Sequence, residues 1–85
     1  MFYVYIIESI ANLKWYYGFT ERLSARLQEH NSNNHHYTAH KGPWELIFLR
    51  EFDNKKDALV FEKKLKSLRN KEFISKMYVN YFLKR

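Results

Sequence analysis

The chain has no cysteine, one proline and two glycines in 85 residues. Without thiols it forms neither a disulfide framework nor a thiolate metal site, and cysteine nucleophiles are excluded. It also lacks a signal peptide and any apolar run of about 18 residues, the length that a membrane-spanning helix requires. These absences predict a soluble, cytoplasmic protein with no membrane partner, whose candidate nucleophiles are hydroxyl groups and water.

Aromatic and basic residues, in contrast, are plentiful. The 46% hydrophobic and 19% aromatic content is typical of a globular protein, and we expect residues 1–85 to form a single domain. The net charge is +6, and residues 1–52 contain five Lys or Arg against five Asp or Glu, whereas residues 53–85 contain ten against four. A basic last third is suited to binding a polyanion such as nucleic acid. A solvated, lysine-rich helix surface explains the same charge equally well.

Hydrophobic periodicity predicts the element order β-β-α-β-α-α. Three strands are predicted at residues 2–8, 15–19 and 44–52, and three helices begin at Thr20, at Asp53 or Asn54, and at Asn70. Because the third strand has apolar residues on both faces, we place it in the sheet interior or under helices. The predicted fold is α+β, with a three-stranded, mainly antiparallel sheet flanked by helices.

Two details of the helices are predicted as well. Thr20 is expected to cap the first helix, which ends near Asn31, with Glu21 in its first turn. The third helix is expected to run over residues 70–85 with one amphipathic face, formed by Ile74, Met77, Tyr78, Tyr81 and Phe82. This face either packs into the core or contacts a second copy, a nucleic acid or a protein partner.

Two tyrosine motifs point to a family. Tyr3-Val4-Tyr5 lies in the first strand, Tyr16-Tyr17-Gly18 lies in the second, and Arg26 and His30 then share one helix face. From about residue 2 to residue 74 the chain resembles the GIY-YIG nuclease family, specifically small single-domain members similar to the N-terminal domain of the nuclease component of excinuclease. The two motifs stand where the family has Gly-Ile-Tyr and Tyr-Ile-Gly. Tyr3 and Tyr17 depart from that pattern, and their bulk affects the groove or the strand packing without removing a reactive group.

The resemblance implies a metal-dependent endonuclease whose catalytic side chains meet in one open pocket: Tyr5, Tyr16, Arg26, His30 and Glu62. In such an enzyme Tyr5 takes a proton from the attacking water, and Arg26 and Tyr16 stabilise charge on the phosphate. Glu62 holds one Mg²⁺ or Mn²⁺ ion that supports the departing 3′ oxygen. Because a free tyrosine has a pKa near 10, its phenolate needs roughly 4 kcal/mol of cationic stabilisation at pH 7. Arg26, a lysine or the metal must supply this stabilisation. Acid–base help is worth only about 10²–10⁴ in rate, so electrostatic and metal contributions must lower much of the barrier and the metal is expected to be obligatory.

Each catalytic candidate also has an ordinary structural explanation. Strand tyrosines usually pack, and helix arginines are usually exposed. His30 orients water or contacts phosphate in the functional interpretation, but it is an exposed residue near the helix dipole in the plain one. Glu62 lies at the margin of an apolar stripe, where its charge needs a partner, and Lys66 lies four residues further on.

Substrate contacts are expected from four residues: Gly18, His40, Lys41 and Lys66. A lone glycine in a strand indicates a bulge or a close backbone approach. Residues 32–43 are predicted to form a surface loop, and the resemblance implies one polar contributor from it, either Tyr37 or His40. His35, His36 and His40 do not predict a zinc site, because structural zinc sites usually include thiolates.

The expected substrate is nucleic acid, DNA in preference to RNA, and the expected context is DNA repair or recombination. One small module has little surface for base-specific recognition, so DNA structure or a protein partner is expected to supply specificity. Two alternatives remain at this point. One is a DNA- or RNA-binding accessory module on the same fold that does not cleave, and the other is a protein-interaction domain that uses the face from Ile74 to Phe82.

Overall fold

The computed structural model describes residues 1–32 and 38–83. The elements are β1 (Phe2–Ser9), β2 (Trp15–Thr20), α1 (Leu23–Asn31), β3 (Trp44–Phe52), α2 (Lys55–Leu68), α3 (Lys71–Met77) and a short 3₁₀ helix (Val79–Tyr81). The predicted α+β class and the order β-β-α-β-α-α are confirmed. The expectations for His35, His36 and Tyr37 lie outside the described residues. In the described ranges, none of the helices combines the length and the hydrophobicity needed to cross a membrane.

The strands form one antiparallel sheet in the order β2-β1-β3. β1 is central because a short connection pairs it with β2, while β3 adds to its other side. β3 therefore lies at an edge and not in the interior, and helices on both sides of the sheet explain its two apolar faces. The C-terminal segment covers part of this edge, since the Leu83 N–H donates to the Ile47 carbonyl at 2.9 Å and Phe82 forms a bridge with Phe48.

Alternation along β1 divides the core between the two sides of the sheet. Val4 and Ile6 are fully buried on the side of α2 and α3, in the larger cluster. Tyr5 and Ile7 are fully buried on the other side, where α1 packs. Burying an aliphatic side chain of this size contributes about 1.5–3 kcal/mol. The smaller layer under α1 thus contains a buried phenol, and this layer holds the candidate site.

The beginnings of the helices correct one prediction and confirm two. Thr20 does not cap α1, because its hydroxyl accepts the Arg22 N–H at 2.9 Å in the turn before the helix, and Arg22 occupies the N-cap position. Glu21 consequently precedes α1 and is not part of its first turn. Asn54 and Asn70 cap α2 and α3, each accepting a backbone N–H three residues later at 2.9 Å.

The third helix is shorter than predicted. It ends at Met77, and the 3₁₀ helix follows, so the prediction of one continuous helix over residues 70–85 is wrong. Most of the predicted amphipathic face nevertheless belongs to the main core: Ile74, Tyr78, Tyr81 and Phe82. Met77 is the exception, being 54% exposed. The face from Ile74 to Phe82 that the protein-interaction alternative requires is therefore mostly part of the core.

Candidate active site

Tyr5 and Gly18 form the centre of the site. β1 and β2 pair so that Tyr5 is opposite Gly18 and Ile7 is opposite Tyr16, which places both tyrosines on the α1 side as diagonal neighbours. The Tyr5 ring lies directly over Gly18, since a Cβ atom there would be 2.3 Å from the ring Cζ and 2.4 Å from the hydroxyl oxygen. The close approach predicted from the lone glycine is confirmed, and Gly18 contributes by leaving room for the ring.

His30 contacts the same phenol from α1. It is fully buried, with Nε2 2.9 Å from the Tyr5 hydroxyl and Nδ1 2.7 Å from the Thr38 hydroxyl. The Tyr16 ring centroid is 5.0 Å from the imidazole centroid. The plain expectation of an exposed histidine at the helix end is therefore wrong, because the last turn of α1 packs on the sheet. In the described structure both ring nitrogens of His30 therefore lie beside hydroxyl groups, those of Tyr5 and Thr38.

Asn31 and Thr38, neither of which was expected to belong to the site, hold this arrangement together through Trp44. The Asn31 side chain accepts the Trp44 N–H at 2.7 Å and donates to the Trp44 carbonyl at 3.2 Å, which ties the end of α1 to the start of β3. The Trp44 indole N–H donates to the Thr38 carbonyl at 3.2 Å. The Asn31 side chain thus satisfies both backbone groups of Trp44 at the start of β3, a long-range pairing that the sequence did not indicate. Thr38 lies in a polar loop without periodicity and gave no sequence signal either.

Arg26 lies one turn before His30 and lines an open cavity of about 600 Å³, together with Phe19, Thr20, Glu21 and Arg22. Its Nε atom is 3.1 Å from the Glu29 carboxylate, an ion-pair distance. Among residues 1–32 and 38–83, however, this buried N–H has no acceptor in hydrogen-bonding geometry. A buried donor without an acceptor is uncommon in folded proteins, which marks the Arg26 guanidinium as a candidate functional group.

The electrostatic environment of Tyr5 links the predicted site residues. Burial is the largest cause that raises the pKa of the Tyr5 phenol above its ordinary value, and the Tyr16 phenol raises this pKa further. The charge and hydrogen bonding of Arg26 lower it, and the Glu62 carboxylate raises it. All three side chains thus act electrostatically on one hydroxyl. At neutral pH Tyr5 is a neutral phenol, and its hydroxyl is covered in the free protein, so the expected open pocket does not include it.

Stability is expected to fall at alkaline pH because of this phenol. An unfolded tyrosine loses its proton near pH 10, whereas folded Tyr5 keeps its proton to higher pH, so the folded state binds more protons between these values. The free energy of unfolding then decreases with rising pH above about 10, by at most about 1.4 kcal/mol per pH unit for one phenol. Urea unfolding at a series of pH values measures this decline.

Tyr5→Phe removes the proton in question and should make the alkaline decline shallower. Burial also raises the pKa of Tyr17, which adds to the loss of stability at alkaline pH. The Tyr17→Phe variant measures this second contribution separately. Equal pH dependence in the wild type and in Tyr5→Phe would show that Tyr5 does not keep its proton in the folded protein.

Glu62 comes from α2, which packs on the opposite face of the sheet. Its side chain is 16% exposed, at the margin of the buried stripe as predicted, and Oε2 is 3.4 Å from the Lys66 ammonium. The ion pair considered as the structural explanation is therefore present. The negative charge of Glu62 still contributes to the raised pKa of the Tyr5 phenol. The cavity that Arg26 lines does not include Glu62, and α2 lies across the sheet from the layer that contains Tyr5. The described residues therefore do not form the single open pocket expected for all five catalytic candidates.

A Mg²⁺-like ion fits this site only if a single carboxylate, Glu62, binds it together with water and substrate. Within the described part of the chain, no three His, Cys, Asp or Glu side chains are grouped so as to form a metal cage. Mg²⁺, however, is usually bound by one or two carboxylates together with water and substrate phosphates. Glu62 is a single, partly exposed carboxylate that fits this requirement, with Lys66 as its partner in the free protein.

One of the predicted substrate ligands, Lys41, lies near the end of β1 and away from Tyr5. His40 and Lys41 are exposed, and the Lys41 carbonyl accepts a hydrogen bond from the Ser9 hydroxyl at 2.7 Å. Ser9 is four residues beyond Tyr5, which corresponds to about 13 Å along β1. The structure therefore brings Lys41 to the far end of the strand, whereas His40 lies two residues after Thr38, whose hydroxyl contacts the His30 ring.

Comparison with known proteins identifies the group to which this site belongs. Residues 1–77 match the GIY-YIG catalytic domain. The chain is a member of the GIY-YIG family. Domains of this family are generally nucleases that act on nucleic acid, so membership supports that class of activity for this GIY-YIG protein.

Several relatives of this GIY-YIG protein are similar in size. UPF0213 protein OB0043 of Oceanobacillus iheyensis is 36% identical over 67 residues, which cover 78% of this chain and 77% of the relative. UPF0213 protein YazA of Bacillus subtilis is 34% identical over 71 residues, covering 82% and 71%. The solution NMR structure of UPF0213 protein BH0048 from Bacillus halodurans matches with a TM-score of 0.57 at 30% identity, covering 93% of this chain and 85% of that one. The family and the fold expected from the tyrosine motifs are thus confirmed.

Proposed function

We propose that this protein is a divalent-metal-dependent endonuclease that hydrolyses phosphodiester bonds, preferentially in DNA. The observation that carries the proposal is the buried hydrogen bond between Tyr5 and His30, with Arg26 acting electrostatically on the same hydroxyl. A buried phenol needs one hydrogen-bond partner, but an ionisable imidazole as that partner, together with a guanidinium that acts on the same hydroxyl, is more than packing requires. Perturbed titratable groups of this kind are concentrated at functional sites.

Tyr5 and His30 together provide a path for the proton of the attacking water. The Tyr5 hydroxyl gives its proton to His30 Nε2 and takes one from the water, whose oxygen bonds to phosphorus as the bond to the 3′ oxygen breaks. The imidazolium then holds the proton, and the leaving oxygen is protonated by solvent. This exchange avoids a free phenolate, which costs roughly 4 kcal/mol at pH 7 for an ordinary tyrosine and more for a buried one.

The covered Tyr5 hydroxyl requires a side chain to move when substrate binds. Arg26 is the candidate for this movement, because it lines the open cavity and also acts on the phenol. A phosphate in the cavity attracts the guanidinium, which binds two phosphate oxygens through parallel hydrogen bonds. The Tyr16 hydroxyl, on the same face as Tyr5, offers a further donor. Each such donor typically accelerates a reaction about 10²–10³-fold.

Glu62 is the residue that would hold the metal ion. When bound, a divalent ion neutralises charge that develops on the leaving oxygen. In the free protein Lys66 pairs with this carboxylate at 3.4 Å, so the ion and the ammonium compete for it. Release of Lys66 leaves its charge available for a substrate phosphate.

Exposed lysines along α2 support a polyanionic substrate. Lys66 is one helical turn after Glu62 and Lys55 is two turns before it, so both lie near the Glu62 side of the helix, whereas Lys64 points away. Backbone phosphate contacts of this kind give affinity without sequence specificity. We infer that DNA structure or a protein partner directs the enzyme, and that it works on cytoplasmic DNA in repair or recombination.

A nicking assay tests the proposed activity. Supercoiled plasmid, branched DNA and single-stranded RNA are incubated with the protein and Mg²⁺ or Mn²⁺, and we expect DNA cleavage that EDTA abolishes. Arg26→Ala should lower the cleavage rate about 10²–10³-fold because one cationic donor to the phosphate is lost. Lys64→Ala, which removes an equal charge from the outer side of α2, should cleave like the wild type.

The same experiment distinguishes the binding alternative. Binding is measured at several salt concentrations without metal, since phosphate contacts make affinity fall as salt rises. If the wild type binds in this salt-dependent way but cuts none of the substrates, a non-cleaving nucleic-acid-binding module is favoured over the enzyme. Wild-type cleavage by Arg26→Ala would contradict the role proposed for the guanidinium.

A further inference from the structure

Thr38 presents a fully buried hydroxyl to the far side of the His30 ring. Its oxygen is 2.7 Å from Nδ1, while Nε2 on the opposite side of the ring faces Tyr5 at 2.9 Å. The three side chains therefore form a continuous buried row. A buried hydroxyl must be hydrogen-bonded to be tolerated, and here its partner is the imidazole that contacts the candidate base.

The backbone of Thr38 is held from two sides, so the hydroxyl has a defined position. The Trp44 indole N–H and the Lys41 N–H both donate to the Thr38 carbonyl, each at 3.2 Å. Trp44 is in turn bound through its backbone to Asn31, the residue after His30. The loop end, the helix end and the start of β3 thus set the separation between the hydroxyl and the ring.

The hydrogen bond at Nδ1 determines what Nε2 does. A neutral imidazole has one N–H donor and one acceptor nitrogen, and the tautomer follows from the partner of either one. If Nδ1–H donates to Thr38, Nε2 has a free lone pair and accepts the Tyr5 hydroxyl hydrogen. If Thr38 donates to Nδ1 instead, Nε2 carries the hydrogen and is unable to receive a proton from Tyr5.

We propose that Thr38 is a positioning residue that fixes His30 as the Nδ1–H tautomer and so keeps Nε2 ready to accept the Tyr5 proton. This inference rests on the proposed function, since it assigns Thr38 a purpose within the same proton path. After the transfer both ring nitrogens carry hydrogen, and the Thr38 oxygen still accepts from Nδ1–H. The hydrogen bond between Nδ1–H and the Thr38 oxygen is therefore the same for the neutral and the charged imidazole.

The tautomer is measured directly by NMR on uniformly ¹⁵N-labelled protein without metal or substrate. Long-range ¹H–¹⁵N spectra distinguish a protonated from an unprotonated ring nitrogen, and we expect the Nδ1–H pattern for His30 in the wild type. This readout does not depend on nuclease activity, so it remains decisive even if the protein never cleaves DNA. An Nε2–H pattern in the wild type would overturn the proposal.

Two substitutions separate positioning from packing. Thr38→Val keeps the shape of the side chain and removes the hydroxyl, so His30 should shift toward the other tautomer. We expect kcat to fall about 10- to 100-fold with KM unchanged, a loss of the size seen when the hydrogen-bond partner of a metal-ligating histidine is removed. Thr38→Ser retains the hydroxyl and should restore both the spectrum and kcat. A kcat loss in Thr38→Val without any change in the His30 nitrogen shifts would show that Thr38 acts only through packing.

Discussion

Glu62→Gln is expected to reduce metal-dependent nicking by about 10³-fold or more, because the carboxylate proposed to hold the ion, which would supply several kcal/mol, is replaced by a neutral amide of the same size. The fold should be retained, since the side chain is partly exposed and its ion pair with Lys66 contributes at most about 1 kcal/mol. Initial nicking rates at saturating Mg²⁺, together with thermal melting, measure the two effects.

The chain provides a matched control in α3. Glu72 forms an ion pair with Lys76 at 3.1 Å, also over one helical turn, but both side chains are well exposed. Glu72→Gln therefore removes the same charge and the same kind of pair without touching the candidate site, and we expect wild-type nicking. A comparable loss in both variants would indicate a general effect of charge, and wild-type nicking by Glu62→Gln would remove Glu62 from the proposed metal site.

Gly18→Ala is expected to impair both stability and cleavage. The added methyl group would lie 2.3 Å from the Tyr5 ring, which is fully buried and bound to His30 and so has little room to move. Overpacking of this kind costs about 1–3 kcal/mol, which corresponds to a fall in Tm of roughly 10 °C in a domain of this size. A displacement of the phenol by about 1 Å should also lower the cleavage rate about 10²-fold.

A double-mutant cycle tests whether the Tyr5 ring is the reason. In a Tyr5→Ala background the ring is absent, so Gly18→Ala adds a methyl group to vacant space and should be neutral or stabilising. The cost of Gly18→Ala should therefore vanish or change sign between the two backgrounds. The same destabilisation in both would show that the glycine is needed for the backbone of β2 and not for the phenol.

Prediction from sequence succeeded where the signal was local. Alternation of apolar residues located the strands, because side chains two apart share a face of a strand. Asn54 and Asn70 were identifiable as helix caps because an N-cap side chain bonds a backbone N–H only three residues away. The same rule wrongly predicted Thr20 as the cap of α1, because its hydroxyl accepts the Arg22 N–H in a turn and the helix begins later.

Prediction failed where distant contacts decide the outcome. The helical spacing of residues 74–82 is real, but the chain leaves the helix after Met77 and Phe82 then pairs with the edge of β3. Likewise, the polar loop predicted at the surface contains the buried Thr38, whose position depends on Trp44 and His30. These contacts depend on how separate elements pack against each other, and a local sequence pattern does not predict that packing.

By itself the sequence determined the family, through its two tyrosine motifs, and the antiparallel hairpin that carries them, through strand alternation and a short connection. Only the tertiary structure decided that His30, 25 residues after Tyr5, is buried against its hydroxyl, with Thr38 behind it. The physical reason is that the motifs and the hairpin depend on neighbouring residues, whereas a buried polar row forms only when α1 and the loop pack against the sheet and exclude water.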